Sequence, residues 1–233
     1  MRKILVRLMA VALVLAAPSA AASEPVKIID VMVHPYYDAG ILSGGRRMVQ
    51  VGRDFDALLQ SDRREDVAAA RDKVLAHPEL ITPMTMMVLA IRLYDVGLRD
   101  DSVFWFYVAK DRWSTLSDTI DVSGPAFGGA EEAVKNFAYL AGPSINGYAF
   151  CDVGKQQAAR VRAVDWVEQH PYQVIFSDRL PALRGDRRAN LARSIAGLRK
   201  EVAEERAYLS DPKKVAALRA ARQQNGADAR YCW

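Results

Sequence analysis

Hydrophobic residues recur every three to four positions along most of the chain, a spacing that places them on one face of an α-helix. The periodicity starts near Arg53 and continues, with breaks at proline and glycine, into the C-terminal region. It predicts an all-α fold, a helical bundle of about seven or eight helices. A short N-terminal extended segment should precede the bundle, because Val26 to Val33 is apolar and rich in β-branched residues until the His34-Pro35 pair.

The clearest predicted helix begins at Thr82 and Pro83. Thr82 is a good N-cap, Pro83 suits the first helical position, and Gly97 ends the apolar pattern that follows. Asp100 or Asp101 is expected to cap the next helix. That helix carries four adjacent aromatic residues, 104–107, which point in all directions and therefore predict a position at the centre of the bundle.

These two helices carry a resemblance to known repeats. The stretch from Pro83 to Trp113 resembles one unit of the Sel1-like and tetratricopeptide families, through Ala90, Leu93, Tyr94, Gly97, Asp101, Trp105 and Ala109. The resemblance implies a helical hairpin and, with less force, a peptide-binding groove. No second copy follows at a period of about 34 to 36 residues, so an array of repeats is not indicated.

Proline and glycine divide the second half of the chain. A helix from Ala130 should end before Gly142-Pro143, and Ser144 to Gly154 reads as a compact aromatic loop. A short extended piece is expected at Gln173 to Phe176. Further helices are predicted from Lys155 to Gln169, from Asp186 to about Leu209, and after Asp211-Pro212.

Residues 1–22 have the pattern of a cleavable signal peptide. Three basic residues precede an apolar run from Leu8 to Ala17, and Ala20 and Ala22 form an A-x-A cleavage site that places the mature start near Ser23. Ten apolar residues are too few to cross a bilayer, so a permanent anchor is the weaker alternative. We expect a periplasmic or secreted protein with no stable membrane span after cleavage.

Removing this leader changes the charge of the protein. The full chain has 32 basic and 28 acidic residues, and three of the basic ones lie in the leader. The mature chain is therefore almost neutral, which argues against a nucleic-acid partner. Residues 179–233 carry an excess of basic residues and residues 23–178 an excess of acidic ones. This asymmetry predicts charged C-terminal helices docked on a helical body, although contact with anionic lipid or polymer is an alternative.

The two cysteines, Cys151 and Cys232, are expected to form a disulfide, because an isolated pair in an oxidising compartment is most simply oxidised. Two buried thiols are the alternative. The bond would tie the end of the chain to the middle of the domain.

No catalytic motif is present. The sequence lacks GxSxG, CxxC and HExxH, and His34, His77 and His170 are each followed by proline, far apart along the chain. We therefore predict no cofactor, no metal site and no catalytic residue.

The sequence favours an exported, non-enzymatic helical binding protein of the cell envelope, with an unidentified envelope or periplasmic protein as its partner. Its binding surface is predicted where aromatic and charged residues coincide, at Tyr94, Asp95, Trp105, Asp111, Arg112 and Tyr148. The alternative is an envelope hydrolase that uses carboxylates around the aromatic helix, Asp95, Asp100, Asp101 or Asp111.

Overall fold

The computed structural model describes residues 24–41 and 44–233. The predicted leader, residues 1–22, lies outside the described residues. Within them, eight helices of at least eight residues, a five-residue ninth helix and a small sheet confirm the predicted all-α bundle. The elements are β1 (Met32–Val33), β2 (Tyr37–Asp38), β3 (Met48–Val49), α1 (Arg53–Gln60), α2 (Arg64–Ala76), α3 (Pro83–Asp95), α4 (Arg99–Ser117), α5 (Ala130–Ala149), α6 (Val153–Gln169), α7 (Arg187–Leu209), α8 (Pro212–Gln224) and α9 (Ala227–Tyr231).

Helix α3 begins as the sequence predicts. The Thr82 hydroxyl accepts a hydrogen bond from the Thr85 amide at 3.0 Å, and Pro83 occupies the first turn. The helix ends in a tight turn at Gly97, whose φ is +80°. The Leu98 amide bonds back to the Leu93 carbonyl at 2.7 Å, which satisfies the end of the helix and leads directly into α4.

The prediction that Asp100 or Asp101 caps α4 is wrong. The helix starts at Arg99, and the cap position, two residues before Asp100, is Leu98, which provides no side-chain cap. The short turn after α3 leaves no room for a separate capping residue. Both aspartates lie in the first turn of α4, where a carboxylate still interacts favourably with the helix dipole.

Helix α4 lies at the centre of the molecule, as its aromatic residues predict. All four side chains from Phe104 to Tyr107 are buried. They are covered because α4 packs against α3, α5, α6 and α7. Trp166 of α6 contacts the rings of both Phe104 and Trp105.

The predicted end of α5 at Gly142-Pro143 is wrong, and the predicted loop from Ser144 to Gly154 is mostly helix. Pro143 lies inside a helix that runs to Ala149. Because proline has no N–H, Pro143 cannot donate the helical hydrogen bond to the carbonyl four residues earlier. That carbonyl belongs to Tyr139, which is 79% exposed. The buried residues Ala141, Ile145 and Ala149 keep the second half of the helix in the core.

The N-terminal segment is less regular than predicted. Only Met32 and Val33 of the expected strand belong to the sheet, whose order is β1-β2-β3 with antiparallel pairs. Earlier residues pair elsewhere: the Val26 amide donates to the Arg230 carbonyl, and the Tyr94 hydroxyl donates to the Val26 carbonyl. The segment is therefore held between α3 and the C-terminal end of the chain.

The C-terminal helices contact the rest of the chain through α7, which packs on α4 and α6, and through α9, which packs on α5. The buried α7 residues Ile195, Leu198 and Val202 belong to the main core, and the Ser194 hydroxyl donates to Asp118 at 2.7 Å. Arg199 pairs with Asp165 and Glu168 of α6.

Two elements in the second half of the chain differ from what the sequence predicts or pack more loosely. The piece expected to be extended, Gln173–Phe176, is a short 3₁₀ helix, which packs Ile175 into the core. Helix α8 is peripheral, and its apolar residues Val215 and Leu218 are only half-buried. No helix in the part of the chain that the structure describes is long and apolar enough to cross a membrane.

Candidate functional site

The six residues predicted to form a binding surface do not meet at one site. Tyr94 and Tyr148 touch edge to face, with ring centroids 6.4 Å apart. Trp105, Asp111 and Arg112 are buried, and the side chain of Asp95 is 3% exposed. Four of the six therefore lie inside the protein and hold its elements together.

Asp95 fixes the N-terminal segment to α3. Its carboxylate accepts hydrogen bonds from Arg92, at 2.5 Å, and from the Ile29 amide, at 2.8 Å. Burial raises the pKa of Asp95 to about 6, although both donors act in the opposite direction. Arg92 is itself fully buried and also donates to the carbonyls of Leu59 and Ser61 at the end of α1.

Asp111 joins α4 to α6. It forms a buried ion pair with Arg160 at 2.8 Å, and Arg160 lies 3.5 Å from Glu205 of α7. Burial raises the pKa of Asp111 to about 6, against the attraction of Arg160.

Arg112 is a fully buried cation that contacts no carboxylate among the described residues. Its guanidinium donates to three main-chain oxygens, those of Pro78 (2.6 Å), Ile81 (2.9 Å) and His170 (2.7 Å). It also lies near the rings of Trp166 and Tyr172, at 5.0 and 5.3 Å. Burial lowers the pKa of Arg112 to about 10, so the side chain remains charged at neutral pH.

Trp105 belongs to the same region of the core. Its ring packs on Trp166 at 5.2 Å, so Trp105 and Arg112 share this neighbour. Neither side chain reaches a surface where a partner could contact it.

The four candidate carboxylates of the hydrolase alternative also lie apart. Each contacts a different basic residue: Asp95 contacts Arg92, Asp100 contacts Lys155, Asp101 contacts Arg71 and Asp111 contacts Arg160. Of these four, Asp100 lines a cleft between α4, α5 and α6.

A cleft of about 290 Å³ lies where α4, α5 and α6 meet. It is the best candidate for a binding site, because it combines an apolar floor with a charged rim. Its lining residues are Asp100, Val103, Tyr148, Ala149, Cys151, Asp152, Lys155, Gln156, Ala158, Ala159 and Arg162.

The floor of the cleft is made of small apolar side chains. Val103, Ala149 and Ala159 are buried and come from three different helices, whereas Ala158 is exposed at the edge. Gln156 is also buried there, and its amide donates to Glu205 and to Tyr107. These bonds fix the floor to α4 and α7.

On one side of the rim, the polar side chains form hydrogen bonds with one another. Asp100 accepts from the Tyr148 hydroxyl at 2.8 Å and from Lys155 at 3.4 Å. Burial, then the bond to Asp100, raises the pKa of Tyr148 to about 12, so the phenol remains a donor. Asp152 caps α6 by accepting from the Lys155 amide.

The other side of the rim carries an unpaired cation. The Arg162 guanidinium lies 4.8 Å from the centre of the Phe104 ring and forms no ion pair with a described residue. Because Lys155, Ala159 and Arg162 are spaced by four and three positions, they share one face of α6.

One residue that lines the cleft, Cys151, belongs to a disulfide. Cys151 and Cys232 are bonded, which confirms the predicted pairing across 81 positions. Arg222, a buried residue of α8, lies against both sulfurs and pairs with Asp228 at 2.7 Å. The bond attaches α9 to the end of α5.

The end of the chain covers a neighbouring surface. The Arg99 guanidinium lies 3.5 Å from the centre of the Trp233 ring and donates to the main-chain oxygen of Trp233. A side chain at Gly147 would come within 2.5 Å of the Tyr231 ring, so the close docking of α9 requires this glycine.

A second depression, of about 530 Å³, lies between α4 and α7. It is polar and more open, and its residues Ser194 and Asp118 already bond to each other. Among the described residues, no group of three or more His, Cys, Asp or Glu side chains is placed to hold a metal ion.

Sequence reasoning missed Lys155, Gln156 and Arg162. Their common face on α6 is visible in the sequence, but the cleft exists only because α4 and the unexpected second half of α5 pack beside it. The signal for these residues in the sequence was their spacing along the predicted helix α6.

Together, the fold and the cleft define a disulfide-bonded, all-α protein with an amphipathic groove between helices. No protein-family model matches the chain, and no solved structure does. An uncharacterized protein from Haemophilus influenzae is 33% identical over 225 residues, which cover 95% of this chain and 85% of that protein. The chain belongs to the same family as this protein.

The first prediction concerns Arg112. Arg112→Met should lower the free energy of unfolding by about 3 kcal/mol or more, because three carbonyl groups lose their buried donor. Denaturant unfolding of the purified protein measures the change. Arg206→Met, which removes an exposed arginine, should cost less than about 0.5 kcal/mol. Equal effects of the two substitutions would contradict this role for Arg112.

The second prediction concerns Asp111. Its pKa is higher in the folded state than the ordinary value of 3.8, so the folded protein binds more protons between about pH 4 and pH 6. The stabilisation from this group is complete below pH 4 and is lost as the pH rises through 6. Relative to Asp111→Asn, the wild type should therefore lose up to about 3 kcal/mol between pH 4 and pH 7.

Urea unfolding at several pH values tests this. Arg206→Gln changes one exposed charge away from Asp111 and controls for the general effect of net charge. A constant difference between wild type and Asp111→Asn across this range would show that Asp111 does not titrate as described.

Proposed function

We propose that this chain is an exported, non-enzymatic binding protein of the cell envelope that holds an envelope or periplasmic protein at the cleft between α4, α5 and α6. The single observation that carries the proposal is this cleft, which has an apolar floor and polar groups at its rim.

Export is supported by the leader pattern of residues 1–22. The Cys151–Cys232 bond agrees with it, because disulfides form and persist mainly in oxidising compartments such as the periplasm.

Binding receives more support than hydrolysis from the positions of the carboxylates. Burial raises the pKa values of Asp95 and Asp111. These two residues do not line the cleft, and each is bonded to an arginine. Asp100 and Asp152, which do line it, already accept hydrogen bonds from within the protein. A pair of carboxylates acting on one substrate would have to face a common cavity.

The rigidity of the cleft also favours binding. The ion pair of Asp111 with Arg160 joins α4 to α6, and the hydrogen bond from Tyr148 to Asp100 joins α5 to α4. A preformed site loses less conformational entropy when a partner binds.

The test is photocrosslinking in the native host. The photoreactive residue p-benzoylphenylalanine is placed at Ala158, an exposed position at the edge of the cleft, and in a matched variant at Ala217, an exposed alanine of α8. We expect discrete adducts with an envelope protein from position 158 and far fewer from position 217.

The oxidised, full-length protein is recovered after irradiation, and adducts are identified by mass spectrometry. Adducts of equal yield at both positions would contradict the cleft as the binding site. Irradiation at position 158 that yields no protein adduct would contradict the proposed function itself.

A further inference from the structure

We infer that the cleft takes an apolar side chain that lies next to a carboxylate, in a peptide segment of the partner. The inference rests on the proposed function and adds the chemistry of the ligand. The carboxylate belongs either to the chain terminus or to the side chain of the following residue, and the probes below distinguish these two sources.

The apolar part of the ligand is indicated by the floor. The side chains of Val103, Ala149 and Ala159 are purely aliphatic and end in methyl groups. A cleft of about 290 Å³ lined by such small residues has room for an aliphatic side chain, whose removal from water is favourable.

The carboxylate is indicated by the charges of the rim. Asp100 is bonded to Tyr148 and Lys155, and Asp152 caps its own helix, so both negative groups are already engaged. Arg162 has no carboxylate partner in the described chain. Among the charged side chains that line the cleft, Arg162 is therefore the cation that a ligand carboxylate can pair with.

Arg162 is also suitably held. Its contact with the Phe104 ring limits the motion of the guanidinium while its N–H groups remain exposed. A guanidinium presents a planar set of donors that matches the two oxygens of a carboxylate.

The spacing along α6 fits one peptide residue. Arg162 lies three positions after Ala159, which is about 4.5 Å along the helix axis. A peptide residue spans about 3.5 Å. A side chain seated over Ala159 therefore has its own carboxylate, or that of the next residue, within reach of Arg162.

The experiment uses three small probes and the oxidised protein. N-acetyl-leucine carries a terminal carboxylate, N-acetyl-leucine amide carries none, and N-acetyl-leucyl-glutamate amide carries one on a side chain. Amide chemical shifts in ¹⁵N-labelled protein report both affinity and position. We expect at least one of the two acids to perturb residues of the cleft and to bind about tenfold more tightly than the neutral amide.

Two pairs of variants complete the test. Arg162→Gln should weaken binding of the acid about tenfold, whereas Arg206→Gln should not. Ala158→Phe, at an exposed position, should obstruct the cleft, whereas Ala217→Phe should leave binding unchanged. Each variant must first give the shifts of a folded protein outside the substituted region.

Three outcomes overturn the inference: equal affinity for acid and amide, shifts centred outside the cleft, or an unchanged affinity in Arg162→Gln. If position 158 captures a partner but neither acid binds, the ligand chemistry is wrong and the proposed function stands. If position 158 captures no partner and neither acid binds, the ligand chemistry and the proposed function are both wrong.

Discussion

The buried guanidinium of Arg112 is the contact on which the centre of the fold depends. It joins the segment before α3 to the end of α6 through three main-chain oxygens. A buried cation is costly unless its donors are satisfied, so these segments must stay in place around it. The position of α6 beside α4, and with it the cleft, follows from this constraint.

The parts of the fold predictable from the sequence are those fixed by local chemistry. Thr82, Pro83 and Gly97 define α3 because a cap, a first-turn proline and a left-handed glycine act within a few residues. Pro143 was misleading, because the burial of Ile145 and Ala149 outweighs one missing hydrogen bond. Such tertiary burial cannot be read from the local sequence.

The candidate site was predictable only in part. The Cys151–Cys232 pair could be inferred from composition and compartment. Asp95, Asp111 and Arg112 were expected at a binding surface, but the structure uses them as internal links, since each finds a buried partner on another element. Arg162 could not be singled out from the sequence. It has no carboxylate partner in the described chain, and the absence of a partner depends on which residues pack beside it.

The central claim is that the aromatic and charged residues of α3 and α4 build a rigid frame and that contact with the partner is confined to the cleft. Hydrogen exchange of the mature, oxidised protein, with and without a detergent-solubilised envelope fraction, tests it most directly. The account predicts slower exchange in residues 148–162 and no change in α8. Protection in α8 with none in residues 148–162 would contradict it.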